Sequence, residues 1–132
     1  MKDKLNIALI IGSTRQARLA PKLAQWLHGV ARQRNDMNVE LVDLQDFDLP
    51  LFNEKASNLW LPSEDARAVA WQVKIAEFDG YLVTAAEYNR SMTGALKNAF
   101  DQAYVEWNRK PIGFIGYGGL GGARAVEHAR TV

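Results

Sequence analysis

Leu5-Asn6-Ile7-Ala8-Leu9-Ile10-Ile11, followed at once by Gly12-Ser13-Thr14-Arg15-Gln16-Ala17-Arg18, is the stretch that decides the fold. A compact apolar run rich in Ile and Leu that stops at glycine is the pattern of a strand buried on both faces. Beyond it, Leu19, Leu23, Trp26, Leu27 and Val30 recur at helical spacing, with Pro21 where a first turn tolerates it, and this predicts an amphipathic helix with those residues as its apolar stripe. The intervening loop therefore joins a buried strand to a helix. Free N–H groups and the helix dipole make such a junction attractive to anions.

The same alternation continues outward. Residues 39–42 predict a short second strand. Residues 44–62 form a long connection holding Pro50, Asn53 and Asn58, the kind of loop that is usually functional or interfacial, with Phe52, Leu59 and Trp60 available for burial. Ser63 is the expected N-cap of a second helix whose inner face is Ala66, Val69, Ala70 and Val73, and Asp79-Gly80 breaks it. Residues 81–85 predict a third strand. Leu96, Phe100, Ala103 and Trp107 mark a third helix starting near Thr93, and residues 111–116 a fourth strand. A glycine-rich turn then leads to a helix still running at Val132. Strand and helix in strict alternation predict a doubly wound, mostly parallel α/β sheet with helices on both faces and ligands at the carboxyl ends of the strands. Three loops occupy that rim, at residues 12–18, 86–92 and 117–122.

A length of 132 residues suits one domain. Its 16 basic and 15 acidic residues nearly cancel without long blocks of one sign, which argues against a nucleic-acid footprint or an anionic-membrane anchor. With no cysteine there is no disulfide, thiolate metal site or redox dithiol, so electron chemistry needs a borrowed cofactor. Residues 1–6 are mixed in charge, and the apolar run after them is too short for a membrane span or a signal-peptide core. Cytoplasmic residence is the expectation.

Each rim loop carries its own chemistry. In the first, two hydroxyls and the guanidinium groups of Arg15 and Arg18 suit the oxygens of a phosphate monoester, whereas the lysine and spacing of a Walker loop are absent. The alternative is that Ser13 and Thr14 only cap the helix and the arginines are solvated. In the second, Glu87-Tyr88-Asn89-Arg90-Ser91 joins an aromatic face to groups able to read the edge of a planar heterocycle, although Ser91 or Thr93 also suits a helix cap. In the third, Gly116-Tyr117-Gly118-Gly119-Leu120-Gly121-Gly122 contains the G-x-G-x-x-G spacing. It follows the fourth strand, however, and no acidic residue stands about 20 positions on, so a dinucleotide fingerprint is rejected. Close backbone approach to a flat ring, or a tight turn needing positive φ, explains the glycines instead.

Taken together, Gly-Ser-Thr-Arg-x-x-Arg at 12–18, Glu-Tyr-Asn-x-Ser-x-x-Gly-x-Leu-Lys-Asn-Ala at 87–99, Lys-Pro at 110–111 with Gly-Tyr-Gly-Gly-x-Gly-Gly at 116–122, and Leu-Pro-Leu-Phe-Asn at 49–53 resemble the NADPH-dependent FMN reductases, a flavodoxin-like group that includes quinone, chromate and azo-dye reductases. The resemblance implies a sheet of order 2-1-3-4. It implies FMN with its phosphate on Ser13, Arg15, Arg18 and the Leu19 backbone, and its ring framed by Ala86, Glu87, Tyr88 and Asn89 and by Tyr117, Gly118 and Gly119. It also implies hydride from NADPH to flavin and on to flavin or quinone acceptors, no protein nucleophile and no metal, and a homodimer or homotetramer built partly through the second crossover. Two departures stand out. Ala86 and Thr93 occupy places where the family commonly has proline, which predicts softer loops. The family's fifth strand and last helix have no counterpart, which predicts a truncated single domain over residues 1–132 or cover from another subunit. A non-enzymatic phosphate-binding module is the rival reading. A receiver domain is disfavoured, because Gly12, Ser13 and Ala85 stand where it needs strand-end carboxylates.

Overall fold

The computed structural model describes residues 4–132, so the first three residues of the charged opening stretch lie outside the described residues. The first strand, β1, is Leu5–Ile11, and the chain continues through α1 (Ala20–Ala31), β2 (Met37–Asp43), a single 3-10 turn (Leu44–Phe47), α2 (Ala66–Ala76), β3 (Gly80–Ala86), α3 (Gly94–Asp101), β4 (Ile112–Tyr117) and α4 (Ala123–Ala129). The four strands form one parallel sheet in the order β2-β1-β3-β4, the expected flavodoxin-like arrangement. Central β1 pairs on both sides, and this explains the unbroken apolar run from Ile7 to Ile11. Alternate residues serve opposite layers: Ala8 and Ile10 face a core shared with Trp71, Ile75, Leu96 and Ala99, while Leu9 and Ile11 meet Ala20 and Ala24.

Two helices turn a different face inward from the one their bulky residues suggest. In α1, Ala20, Ala24 and Ala31 are buried, while Leu19, Trp26 and Val30 are exposed. The two stripes differ by one residue, about 100° of helix rotation. Small side chains let the helix lie close on the sheet; of the expected stripe, Leu27 packs at the edge of that core and Leu23 is half-buried, while Leu19, Trp26 and Val30 are turned out. In α2, the inner face is Ala68, Trp71, Gln72 and Ile75, while Val69 and Val73 are exposed. Trp71 fixes that rotation: it is fully buried, donates its indole N–H to the Ala99 carbonyl at 2.9 Å, and meets the Phe47 ring edge-on at 5.2 Å. The N-cap is Asp65, which accepts from Arg67 N–H at 2.8 Å, whereas Ser63 accepts from Gln72.

The long second crossover is anchored by Phe47 and Leu49, which pack on the core, while Phe52, Leu59 and Trp60 stay exposed. The expected third-helix stripe outlasts its helix. Leu96 and Ala103 are buried and Trp107 packs on the core, but α3 ends at Asp101. The last helix likewise ends at Ala129, before the chain does. Outward of β4 no further strand pairs among the described residues. Tyr81 locks this end of the core: its hydroxyl lies between the carbonyls of Ile75 (2.8 Å) and Glu106 (3.0 Å), which share its one proton. Burial, helped by Glu106, pushes its phenol above the ordinary value.

Candidate cofactor site

The three rim loops leave β1, β3 and β4 side by side, and their side chains meet. Gly12 opens the first loop and is required by packing, since a Cβ there would lie 2.2 Å from the Thr84 carbonyl oxygen. Its N–H donates to Thr84 Oγ1 at 3.0 Å, and its carbonyl accepts from Thr93 Oγ1 at 2.8 Å. The Ser13 carbonyl accepts from Arg18 Nη1 at 2.7 Å, and the Arg15 carbonyl accepts from Arg18 N–H at 3.1 Å. Carbonyls of Gly12, Ser13 and Arg15 are thus held by internal donors. In a trans peptide the carbonyl and the next N–H point in opposite directions, and no cis bond is present among the described residues. Pinning those carbonyls therefore turns the N–H groups of Ser13, Thr14 and Gln16 the other way, where they meet no acceptor among the described residues.

This is the array an oxyanion needs. Ser13 and Thr14 do not cap α1, whose N-cap is Leu19 with no side-chain hydrogen bond. The loop's two arginines differ. Arg15 is exposed and bonds only weakly to its own loop, through Nη2 to the Ala17 carbonyl at 3.2 Å. Arg18 is engaged: its fork grips Asp43, the last residue of β2, with Nη1 to Oδ1 at 2.6 Å and Nη2 to Oδ2 at 2.7 Å. That hydrogen-bonded partner raises the guanidinium further above its ordinary value.

The other two loops close on the first. Burial, with Tyr88 adding to it, raises the Tyr117 phenol against the opposing influence of Ser13, Arg15 and Arg18. Tyr117 therefore lies within electrostatic reach of Ser13, Arg15, Arg18 and Tyr88. Ala86 ends β3 opposite Tyr117, and Glu87 N–H donates to the Tyr117 carbonyl at 3.0 Å. The Glu87 carboxylate points elsewhere. It is almost fully buried against Arg124, accepting from Nε at 2.6 Å and from the backbone N–H at 3.2 Å, so it ties the loop to α4.

Tyr88 and Ser91 exchange backbone hydrogen bonds at 2.8 and 3.0 Å around Asn89 (φ 48°) and Arg90 (φ 68°), a two-residue hairpin with both central residues left-handed. The turn leaves Tyr88 half exposed at the rim. Thr93, in the position expected to soften this loop, is instead a double tether: besides binding Gly12, its hydroxyl accepts from Leu96 N–H at 3.1 Å and caps α3.

In the glycine loop, Gly116 and Gly122 serve the protein's own packing. A Cβ on Gly122 would lie 2.3 Å from Tyr117 N, and one on Gly116 2.8 Å from the Gly121 carbonyl oxygen. Gly118 and Gly121 supply positive φ. Gly119 differs, because a Cβ there would meet no protein atom within 4 Å. Nothing in the chain demands glycine at that point, and the space beside it is open to a flat ligand. A cleft of about 290 Å³ adjoins the first loop, lined by Thr14, Leu44, Gln45, Leu49, Ala95 and Asn98. The sequence reading missed Asp43, Thr84 and Arg124. Asp43 alone carried a signal, as an acidic residue at a strand end that shares the rim with a basic loop.

The chain is 36% identical over 125 residues to the NAD(P)H-dependent FMN reductase ntnL of Nectria sp, covering 90% of this chain and 62% of that protein. It is 38% identical over 135 residues to a 2-hydroxy-1,4-benzoquinone reductase of Burkholderia sp, covering 97% of this chain and 69% of that one. It thus spans roughly two thirds of such relatives' lengths. Among solved structures, FerB, a flavoenzyme NAD(P)H:(acceptor) oxidoreductase from Paracoccus denitrificans, superposes with a TM-score of 0.73 at 31% identity, over 96% of this chain and 68% of its own. The family model for NADPH-dependent FMN reductase matches residues 5–132, and the chain belongs to that family.

Proposed function

We propose that this chain is the FMN-binding domain of an NAD(P)H-dependent oxidoreductase acting on flavin or quinone acceptors. The observation that carries the reading is the set of N–H groups of Ser13, Thr14 and Gln16 that meet no acceptor among the described residues, beside exposed Arg15 on the rim shared with the Tyr88 loop and the open backbone of Gly119. Phosphate binds at the first loop, through those N–H groups, the Ser13 hydroxyl, the Leu19 backbone and Arg15. Tyr88 and Asn89 with the Ala86–Glu87 backbone form one wall of the ring site, and Tyr117, Gly118 and Gly119 form the other. Bound FMN supplies the capacity to accept hydride from a nicotinamide and return it to a second substrate. The protein's share is to hold, orient and desolvate. Names of the relatives support NADPH or NADH as donor and small quinones or flavins as acceptors.

A cytoplasmic setting is supported by the lack of cysteine, and no helix among the described residues is long and apolar enough to cross a membrane. Self-association is supported by the second crossover, where Leu51 and Trp60 are 81% and 76% exposed. The test is titration with FMN and with riboflavin, followed by addition of NADPH and a benzoquinone. Quenched FMN fluorescence, weaker binding of riboflavin and acceptor-dependent NADPH oxidation are expected. A chain that leaves FMN fluorescence unchanged overturns the reading.

A further inference from the structure

Arg18 has a phosphate-binding position in the sequence and a different partner in the fold. Its guanidinium meets the Asp43 carboxylate fork to fork, and the same Nη1 reaches the Ser13 carbonyl. Both side chains are mostly withdrawn from solvent, with 11% of Arg18 and 21% of Asp43 exposed. Asp43 comes from the neighbouring strand, where it lies in register with Ile11, and it also accepts from Gln45 N–H at 3.0 Å. One carboxylate thus ties together the phosphate loop, the end of β2 and the start of the second crossover. A guanidinium neutralised in this way presents little net charge to an anion, and a phosphate seated directly on it would approach a carboxylate of its own sign.

We infer that Arg18 and Asp43 are a positioning pair: Asp43 holds the Arg18 fork, Arg18 holds the Ser13 carbonyl, and the Thr14 N–H is thereby presented to the cofactor phosphate. Arg15 supplies the loop's direct guanidinium contact. The inference rests on the FMN reading above and adds two statements to it, that Arg18 acts through the loop's shape and that an acidic residue supports binding of an anion.

The second statement reverses the sign expected from charge alone, and this makes it testable. If Arg18 contacted the phosphate directly, Asp43→Asn would free its fork, remove a negative charge and tighten FMN. On the positioning account Asp43→Asn weakens FMN by about tenfold, the loss of roughly one charge-assisted hydrogen bond. Riboflavin, which has no phosphate, changes little. Arg18→Lys keeps the charge but not the fork, so it should weaken FMN as much as Arg18→Ala. Should a lone buried charge prevent folding, the paired replacement Arg18→Met with Asp43→Leu leaves none and retains the fold. It should still lose FMN selectively over riboflavin.

Affinities come from fluorescence quenching, with melting curves to show that each variant is folded. Unchanged or tighter FMN in Asp43→Asn overturns the inference and leaves the cofactor reading standing. So does equal weakening of FMN and riboflavin, which would mark general loosening. Failure of the parent protein to bind FMN overturns both.

Discussion

Replacing Thr93 by valine removes one hydroxyl while keeping size and branching, yet that hydroxyl serves two partners at once. It donates to the Gly12 carbonyl at 2.8 Å and accepts from Leu96 N–H at 3.1 Å, in a residue only 3% exposed. Loss of an N-cap costs ~1 kcal/mol, and a buried carbonyl left without a donor costs ~1–3 kcal/mol, so the change should destabilise by ~2–4 kcal/mol. At ~2.1 cal/mol/K of unfolding entropy per residue, each kcal/mol lowers the melting temperature of a 132-residue domain by ~4 °C, and the expected fall is ~8–16 °C. Circular dichroism melts, checked by urea titration, measure it.

Serine at the same position should recover most of the loss. Proline, which suits the Thr93 φ of −64°, gains only ~0.4–1 kcal/mol from a stiffer unfolded chain and supplies no hydroxyl, so it should remain below the parent. A valine variant melting within ~2 °C of the parent, or a proline variant melting above it, would refute the double-tether account.

Arg90 sits at φ 68° in the Tyr88–Ser91 hairpin, where side chains cost ~1–2 kcal/mol, so Arg90→Gly should stabilise by ~0.5–1 kcal/mol in urea titration. In α1, Trp26→Gln should stay within ~0.5 kcal/mol of the parent, whereas Ala24→Leu, at a position with no exposure, should cost ~1–3 kcal/mol; the reverse outcome would restore the bulky stripe as the core face. Tyr81 holds its proton more tightly folded than unfolded, so its share of stability is complete below pH ~10 and is lost as pH rises through the higher folded value. Urea midpoints between pH 8 and 11 should therefore fall at the alkaline end, and Tyr81→Phe should flatten that fall while lowering the neutral-pH midpoint.

Strands were the most legible part of the sequence. The ends of β1 could be read residue by residue, because a doubly buried strand is a continuous apolar run and Gly12 stops it. Helix faces were less legible. Reading α1 by its largest apolar residues selects Leu19, Leu23, Trp26, Leu27 and Val30, of which Leu27 packs on the core and Leu23 is half-buried, whereas the fully buried line of Ala20, Ala24 and Ala31 lies one position on, because alanine adds little to an apolar count yet permits the closest packing. The candidate site divides in the same way. Loops, hydroxyls and arginines follow from local sequence, but Asp43 joins Arg18 across 25 residues through the β1–β2 register, and Thr93 joins Gly12 across 81. Links of that length appear only once the sheet is assembled.

The place of β1 between β2 and β3 has a consequence for how the chain is made. Its apolar run leaves the ribosome before either neighbour, and β3, the second strand it must hydrogen-bond, is completed only when residue 86 has been added. At ~5–20 residues per second that interval lasts ~4–15 s, during which a strand destined for the interior has no native partner on one side. Nascent-chain protection of this segment, by chaperone or by transient collapse, is therefore built into the requirements of the topology, and expression yield should respond to changes in β1 more sharply than equilibrium stability does.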